Sequence, residues 1–248
     1  CGNTLPDGTQ IDCVLDKGEP LAGLGSTALA VVALAEYQRA TGDKRYLPLA
    51  TKFAAFLLWM QRPDGSFRHL YDPKTKLADD KSELLYYSGE AALALGRMHL
   101  VTGEAKYAQA TEKALDWLVG WYDFFMGGFF YGEEHWTCIA AEALDQAYSK
   151  DAYMEFCHGY GAFLRGQQAA VGEHPDEDDL AGAYGVTPFI PPYNTPAGSR
   201  TEAMISAYVL GKKRGSPDDD VRGQIVDALS YVIGQQITIP AGVPGLPA

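Results

Sequence analysis

Histidine is scarce, with five residues, and lysine plus arginine number 20 against 32 aspartates and glutamates, for a formal charge of −12. A surface this short of cations repels phosphate backbones and anionic lipid heads, so neither nucleic acid nor a membrane surface is an expected partner. Long hydrophobic runs are missing too. Runs such as Phe53 to Met60 fall far below the roughly 20 residues that span a hydrocarbon core, and no transmembrane segment is expected. There is no Gly-x-Gly-x-x-Gly, no phosphate-binding Gly-Lys-Ser/Thr loop, no Gly-x-Ser-x-Gly nucleophile elbow and no His-Glu-x-x-His. Nucleotide-dependent, serine-hydrolase and zincin chemistry lose their sequence support, and no cofactor is called for. The 248 residues, 47% apolar and 21% charged, have the make-up of an ordinary globular chain.

Four cysteines make an even count. Cys1 with Cys13 can close a loop over an N-terminal lead or tether, residues 1–20, and Cys138 and Cys157 fall on consecutive expected helices, so two disulfides are one reading. Buried free thiols or a metal site are the others. Cys1 followed by Gly2 and Asn3 fits a lipoprotein cut at a lipid-anchored cysteine, which implies an extracytoplasmic place, secreted or on the envelope. A boundary that falls there for no such reason is the other reading.

What is present is repetition. Leu34-Ala35-Glu36-Tyr37-Gln38-Arg39-Ala40-Thr41-Gly42-Asp43-Lys44-Arg45-Tyr46 returns 61 positions later, from Leu95 to Tyr107, with Thr102-Gly103-Glu104-Ala105-Lys106-Tyr107 closing the second copy. In Thr-Gly-acid-x-base-Tyr the glycine ends one helix in the left-handed conformation, the acid favours the next helix start, and the tyrosine packs back into the hairpin. Ser149 to Tyr153 is a degenerate third turn and Gly215-Ser216-Pro217-Asp218 a fourth. Four helical hairpins follow: 26–41 with 44–60, 83–101 with 104–121, 136–148 with 151–168, and 199–213 with 218–235. Ala28 to Ala35 is apolar all round, as for an inner helix buried on every side. The 105–121 helix carries Lys106, Gln109, Lys113 and Asp116 on one face, as for an outer helix. Between helices, Asp64 to Asp72 and Gly127 to Gly132 read as small hairpins or extended caps, and Gly172 to Gly198 as a long proline-rich loop.

The segment Gln61-Arg62-Pro63-Asp64-Gly65-Ser66-Phe67, at the end of an apolar helix, resembles the Gln-x-x-Asp-Gly-Ser-Phe/Trp repeat of the α/α-toroid superfamily of squalene-cyclase-like proteins, with relatives among barrel-type glycosidases and sugar epimerases. The resemblance implies an all-α ring of helical hairpins over residues 21–236, with short β-hairpin or loop caps and a tail at 237–248. A full six-hairpin ring needs about twelve helices of 11–15 residues, more than this length supplies; the expectation is an incomplete ring or a trimmed chain. The Asp-x-Asp-Asp spacing of the cyclases occurs as Asp176-Glu177-Asp178-Asp179, in an acidic stretch of the long loop that reads as a solvated surface turn, and Asp218-Asp219-Asp220 reads as a helix-dipole partner. Cys157-His158-Gly159 also resembles an element of lanthionine synthetase cyclases, where zinc activates a thiol, but the upstream Trp-Cys pair of that family has no properly ordered counterpart in His135-Trp136-Thr137-Cys138.

In such a ring the inner helices run in one direction, and their N-termini open free N–H groups and positive dipole ends onto a common rim. The starts carry Gly23 to Ser26; Glu83, Tyr86, Tyr87 and Glu90; Glu133, Glu134, His135 and Trp136; and Ser199, Arg200 and Glu202. Asp64 and His69 lie in loops that can reach them. A lone acid at such a start serves the dipole, but carboxylates flanked by aromatic rings are what sugar chemistry uses. The expected catalytic set is therefore Glu90 as proton donor, Glu133 or Glu134 as base or nucleophile, and His135. Tyr87, Trp136, Arg200, Glu202, Asp64 and His69 form the substrate-binding set, with Arg200 suited to an acidic sugar. Hydrolysis of an oligosaccharide or polysaccharide is the first reading. A sugar epimerase or lyase, a non-catalytic glycan- or peptide-binding envelope module, and the zinc protein are the alternatives.

Overall fold

Gly42 and Gly103 both adopt φ 73°, and the backbone N–H of each closes on the residue four back, Gln38 and His99. This is how the repeated turn stops one helix so that the next can fold back. The computed structural model describes residues 1–126, 135–170, 178–185 and 190–236. Within them lie α1 (Leu24–Thr41), α2 (Leu47–Met60), α3 (Tyr87–Thr102), α4 (Ala105–Met126), α5 (Trp136–Leu144), α6 (Asp151–Arg165), α7 (Asn194–Lys213) and α8 (Asp219–Gly234). Strands are short: β1 (Gly2–Thr4) pairs with β2 (Gln10–Asp12), and β3 (Ala22–Gly23), β4 (Leu70–Asp72) and β5 (Leu77–Asp79) form an antiparallel sheet in that order. None of the described helices is long and apolar enough to cross a membrane.

The odd-numbered helices pack side by side as an inner arc, α1 on α3, α3 on α5 and α5 on α7, and each even-numbered helix backs its partner. Small residues let the inner helices approach: a methyl group on Gly96 would stand 3.3 Å from the Ala143 side chain. Outer helix α4 exposes Lys106, Gln109, Lys113 and Asp116 and buries Tyr107, Ala110 and Ala114, as its amphipathic pattern requires. Inner helix α1 departs from expectation, because Leu29 and Ala33 are exposed. Among the described residues, part of each inner helix lines a common hollow.

Polar stitches fix the hairpins to one another. Arg214, at the fourth turn, reaches Asp151 (2.9 Å), Ser149 Oγ (2.7 Å) and the Lys150 carbonyl (3.2 Å) at the third. At the C-terminal ends of the inner helices, Arg97 lies 2.8 Å from Glu36 and 4.0 Å from Glu142, and Lys213 lies 2.8 Å from Glu142. One charge thus comes from each inner helix, with alternating sign. Asp218 caps α8 by accepting the N–H groups of Asp220 and Val221, and Asp219 and Asp220 sit in its first turn, as the dipole reading requires.

Both cysteine pairs are disulfides, Cys1–Cys13 and Cys138–Cys157. The first occupies the sulfur that a lipid anchor at Cys1 would need. The second removes the Cys157 thiolate from any zinc site, which corrects the lanthionine-cyclase-like alternative. Cys138 on α5 and Cys157 on α6 lie 5.6 Å apart at Cα across a separation of 19 residues. Closing a loop of that length is worth about 3 kcal/mol in chain entropy. The Cys138→Ala/Cys157→Ala double variant is expected to lose about that much stability in urea titrations. A midpoint equal to that of the parent would contradict the bridge.

Candidate active site at the inner-helix rim

The β4–β5 hairpin is clamped to the rim through His69. Its backbone carbonyl accepts the Leu24 N–H that opens α1, at 2.9 Å. Its ring bridges to α3: the Leu84 N–H donates to Nδ1 at 2.7 Å, and Nε2 lies 2.9 Å from Ser88 Oγ. An amide only donates, so Nδ1 carries no proton, and the neutral ring holds its hydrogen on Nε2, facing Ser88. Burial, aided by the nearby Arg62 charge, pushes this imidazole down from 6.5 to about 4. An unfolded chain takes up that proton below about pH 6.5, and the folded one refuses it until about pH 4. The stabilisation is fully present above the unfolded value and drains away as pH falls across the window, to the extent of about 3 kcal/mol. His69→Asn is therefore expected to flatten the fall of Tm between pH 6.5 and 4, and an unchanged slope would refute the assignment.

Arg62 organises the strap beneath. It donates to the carbonyls of Phe67 (2.6 Å) and Asp80 (3.1 Å) and lies 3.6 Å from Glu83. Asp64 is exposed and spends its carboxylate locally, accepting from the Ser66 N–H (3.0 Å) and hydroxyl (2.7 Å), which holds it below the usual carboxylate range. The Gln61 side chain ties the same turn to α4 by donating to the Ala110 carbonyl at 2.9 Å.

Above this strap α1, α3 and α5 begin together. Gly23 and Gly25 leave room on the first turn of α1 for the Tyr87 ring. A methyl group on Gly25 would overlap both that ring, at 2.6 Å, and the Glu90 carboxylate. Glu90 is 7% exposed, in the first turn of α3, and its carboxylate meets the positive end of α1. The Tyr87 hydroxyl is raised by burial first and by the Glu90 charge second. Tyr86, just before α3, has φ 74°, a conformation costly for a bulky side chain and found at constrained sites. Its ring centroid is 6.5 Å from that of His135, which in turn lies 4.3 Å from that of Trp136. Tyr86, Tyr87, Glu90, His135 and Trp136 are thereby assembled at one rim.

Of the other expected site residues, two lie on α7. Glu133 and Glu134 lie outside the described residues. Arg200 is fully buried on α7; its guanidinium donates to the Gly185 carbonyl and stands 6.0 Å from the Tyr184 ring centroid. Glu202 lines a hollow of about 430 Å³ on the arc's axis, together with Trp136. Among the described residues no group of three His, Cys, Asp or Glu side chains is arranged to hold a metal ion. Sequence reasoning missed Ser88 and the aliphatic residues that line the hollow. Ser88 sits beside the named Tyr87 and gives no signal without knowledge of the fold. The hollow was legible in principle, since an apolar-all-round helix in a four-hairpin arc must face something on its inner side.

No protein-family model matches the chain, and no curated protein matches it in sequence. Solved structures do. A D-mannose isomerase aligns over 86% of this chain and 60% of its own, at 11% identity and TM-score 0.65. A cellobiose 2-epimerase from Bacillus thermoamylovorans aligns over 92% and 64%, at 15% identity and TM-score 0.63. A family 76 α-mannanase from Bacteroides thetaiotaomicron aligns over 94% and 75%, at 13% identity and TM-score 0.58. The chain thus spans 60% to 64% of the length of the isomerase and the epimerase. At these identities the likeness is one of fold, and the fold is the α/α toroid.

Proposed function

We propose that the protein is a carbohydrate-acting enzyme, a glycoside hydrolase whose site is the rim where α1, α3 and α5 begin. The observation that carries this reading is the seating of Glu90, a carboxylate nearly closed to solvent between Tyr87 and the glycine-lined start of α1, on a rim bearing further aromatic rings. Aromatic faces suit the C–H surfaces of a pyranose, and a sequestered carboxylate suits proton transfer to the glycosidic oxygen. Glu133 or Glu134, immediately before His135, supplies the second carboxylate.

Neutral sugars are favoured over uronates. Arg200, the residue suited to an acidic sugar, is spent on the Gly185 carbonyl and the Tyr184 ring, and the rim carries acids. The fold likeness to an isomerase, an epimerase and a mannanase supports a sugar substrate and leaves the reaction to the site. Epimerisation calls for a pair of facing bases, and His69, the histidine packed beside Tyr87 at this rim, has both ring nitrogens engaged. Two disulfides go with an oxidising compartment, which supports a place outside the cytoplasm.

The test is a panel of neutral and uronic-acid oligosaccharides incubated with the protein and with Glu90→Gln, following products by chromatography and binding by calorimetry. Hydrolysis of a neutral member, lost in the variant while binding persists, is expected. Binding without turnover in either protein would replace the enzyme with a glycan-binding module, and an isomerised product of unchanged mass would replace hydrolysis with epimerisation.

A further inference from the structure

Below the rim, the hollow on the arc's axis is built from material unlike the rim itself. Each inner helix contributes aliphatic wall: Leu29 and Val32 from α1, Leu93 from α3, Ile139 from α5 and Ile205 from α7. Leu29 and Ile205 are 42% and 41% exposed, so the wall is open to a guest. Aliphatic side chains offer no hydrogen bond to a hydroxyl, and a sugar unit seated against this wall would find polar partners only at its margin, at Glu202 and Ser206. A charged guest fares no better, because Glu36 and Arg97, at the far end, are paired with each other at 2.8 Å. The volume of about 430 Å³ falls within the range of about 300–1,000 Å³ common to small-molecule sites. Glu202, at the margin, responds to these surroundings, its carboxyl raised by burial.

Trp136 joins the two regions. It lines the hollow, and its ring lies against His135 at the rim. We propose that the hollow is an aglycone subsite, which takes the alkyl or aryl group of a glycoside whose sugar occupies the rim. This rests on the rim reading and adds to its substrate class glycosides carrying an apolar group. The geometry gives the hollow an occupant whose polarity matches both halves of the site, sugar above and hydrocarbon below.

Calorimetric titration with methyl, hexyl and octyl β-D-glucoside, below their micellar concentrations, tests this, with 1-hexanol and 1-octanol as sugar-free probes. Each buried methylene tightens binding about fourfold, so octyl is expected to bind about fifteenfold more tightly than hexyl in both series. Ile205→Asp is expected to reduce the ratio of octyl to methyl glucoside affinity at least tenfold. Leu29→Ser, at an already exposed position, serves as a second variant should the first misfold. Affinity independent of chain length overturns the subsite. So does chain-length dependence that both variants leave intact, or alcohol binding that the glucosides do not share. Self-association that excludes the probes, detected by sedimentation and relieved by Ile205→Asp, would assign the wall to a second copy of the chain and also overturn it. The alcohol series needs no sugar and no turnover, so failure of the rim reading appears separately, as absent hydrolysis with chain-length dependence retained.

Discussion

Glu90→Gln is expected to lower turnover about 10²–10⁴-fold, the usual contribution of a positioned proton-transfer group. The replacement keeps the shape of a side chain that fills a confined space against Gly25 and Tyr87. It removes the charge and the exchangeable carboxyl proton. Because an amide retains hydrogen-bonding capacity and buries no charge, stability is expected to change by no more than about 1 kcal/mol. Kinetics on the best member of the oligosaccharide panel, alongside a urea titration of the same preparation, separate the two effects. A fall in kcat with the dissociation constant retained is the expected pattern. If kcat and KM both match the parent, Glu90 is a structural acid and the rim is no proton-transfer site.

Gly65→Ala is expected to cost about 3–5 kcal/mol, a large part of the about 5–15 kcal/mol that holds a domain of this kind together. Gly65 has φ 96°, and a methyl group there would run into the Lys113 carbonyl, with the carbonyl carbon at 2.7 Å. Backbone meets backbone at this point, and neither α4 nor the turn can yield without breaking the Gln61 bond to Ala110. Gly8 supplies the control. Its φ is 87° with open space around it, so Gly8→Ala carries only the left-handed penalty of about 1–2 kcal/mol. Urea denaturation of both variants should show the Gly65 substitution to be worse by about 2 kcal/mol or more. Equal losses would mean that the turn does not rest on α4.

The same turn shows how far the sequence alone reached. Gln-x-x-Asp-Gly-Ser-Phe and the repeated Thr-Gly-acid turn are local devices, each carrying its own stop or start signal, and they locate the helical hairpins of the arc closely. Boundaries moved where tertiary contacts intervened. The second inner helix was expected from 83 and begins at Tyr87, because Leu84 gives its N–H to His69 and Tyr86 turns left-handed. The fourth inner helix begins at Asn194, before its expected start at 199, with Pro196 in a first turn that needs no N–H there. Strand β3 is two residues long and exists through pairing with Leu70 and Tyr71, a contact no local pattern announces.

The rim was legible in outline because helix starts are readable and polar residues at them stand out against apolar helices. Arg200 misled for the same reason. A lone cation at a helix start looks like a ligand for an acid, and only the returning chain at Tyr184 and Gly185 reveals what it serves. The hollow went unread because its aliphatic wall has the composition of a core, and whether such a wall is covered depends on how far the arc closes.

The alternating charges of Glu36, Arg97, Glu142 and Lys213 carry a rule of parity. Inverting all four signs preserves every attraction within the row, at the cost of the Glu36 pair with Arg39, whereas inverting Arg97 or Glu142 alone converts two attractions within it into two repulsions. Positions far apart in the chain are thereby bound to drift in concert, and a tolerated charge reversal at one interior member should be found only where its neighbours have reversed as well.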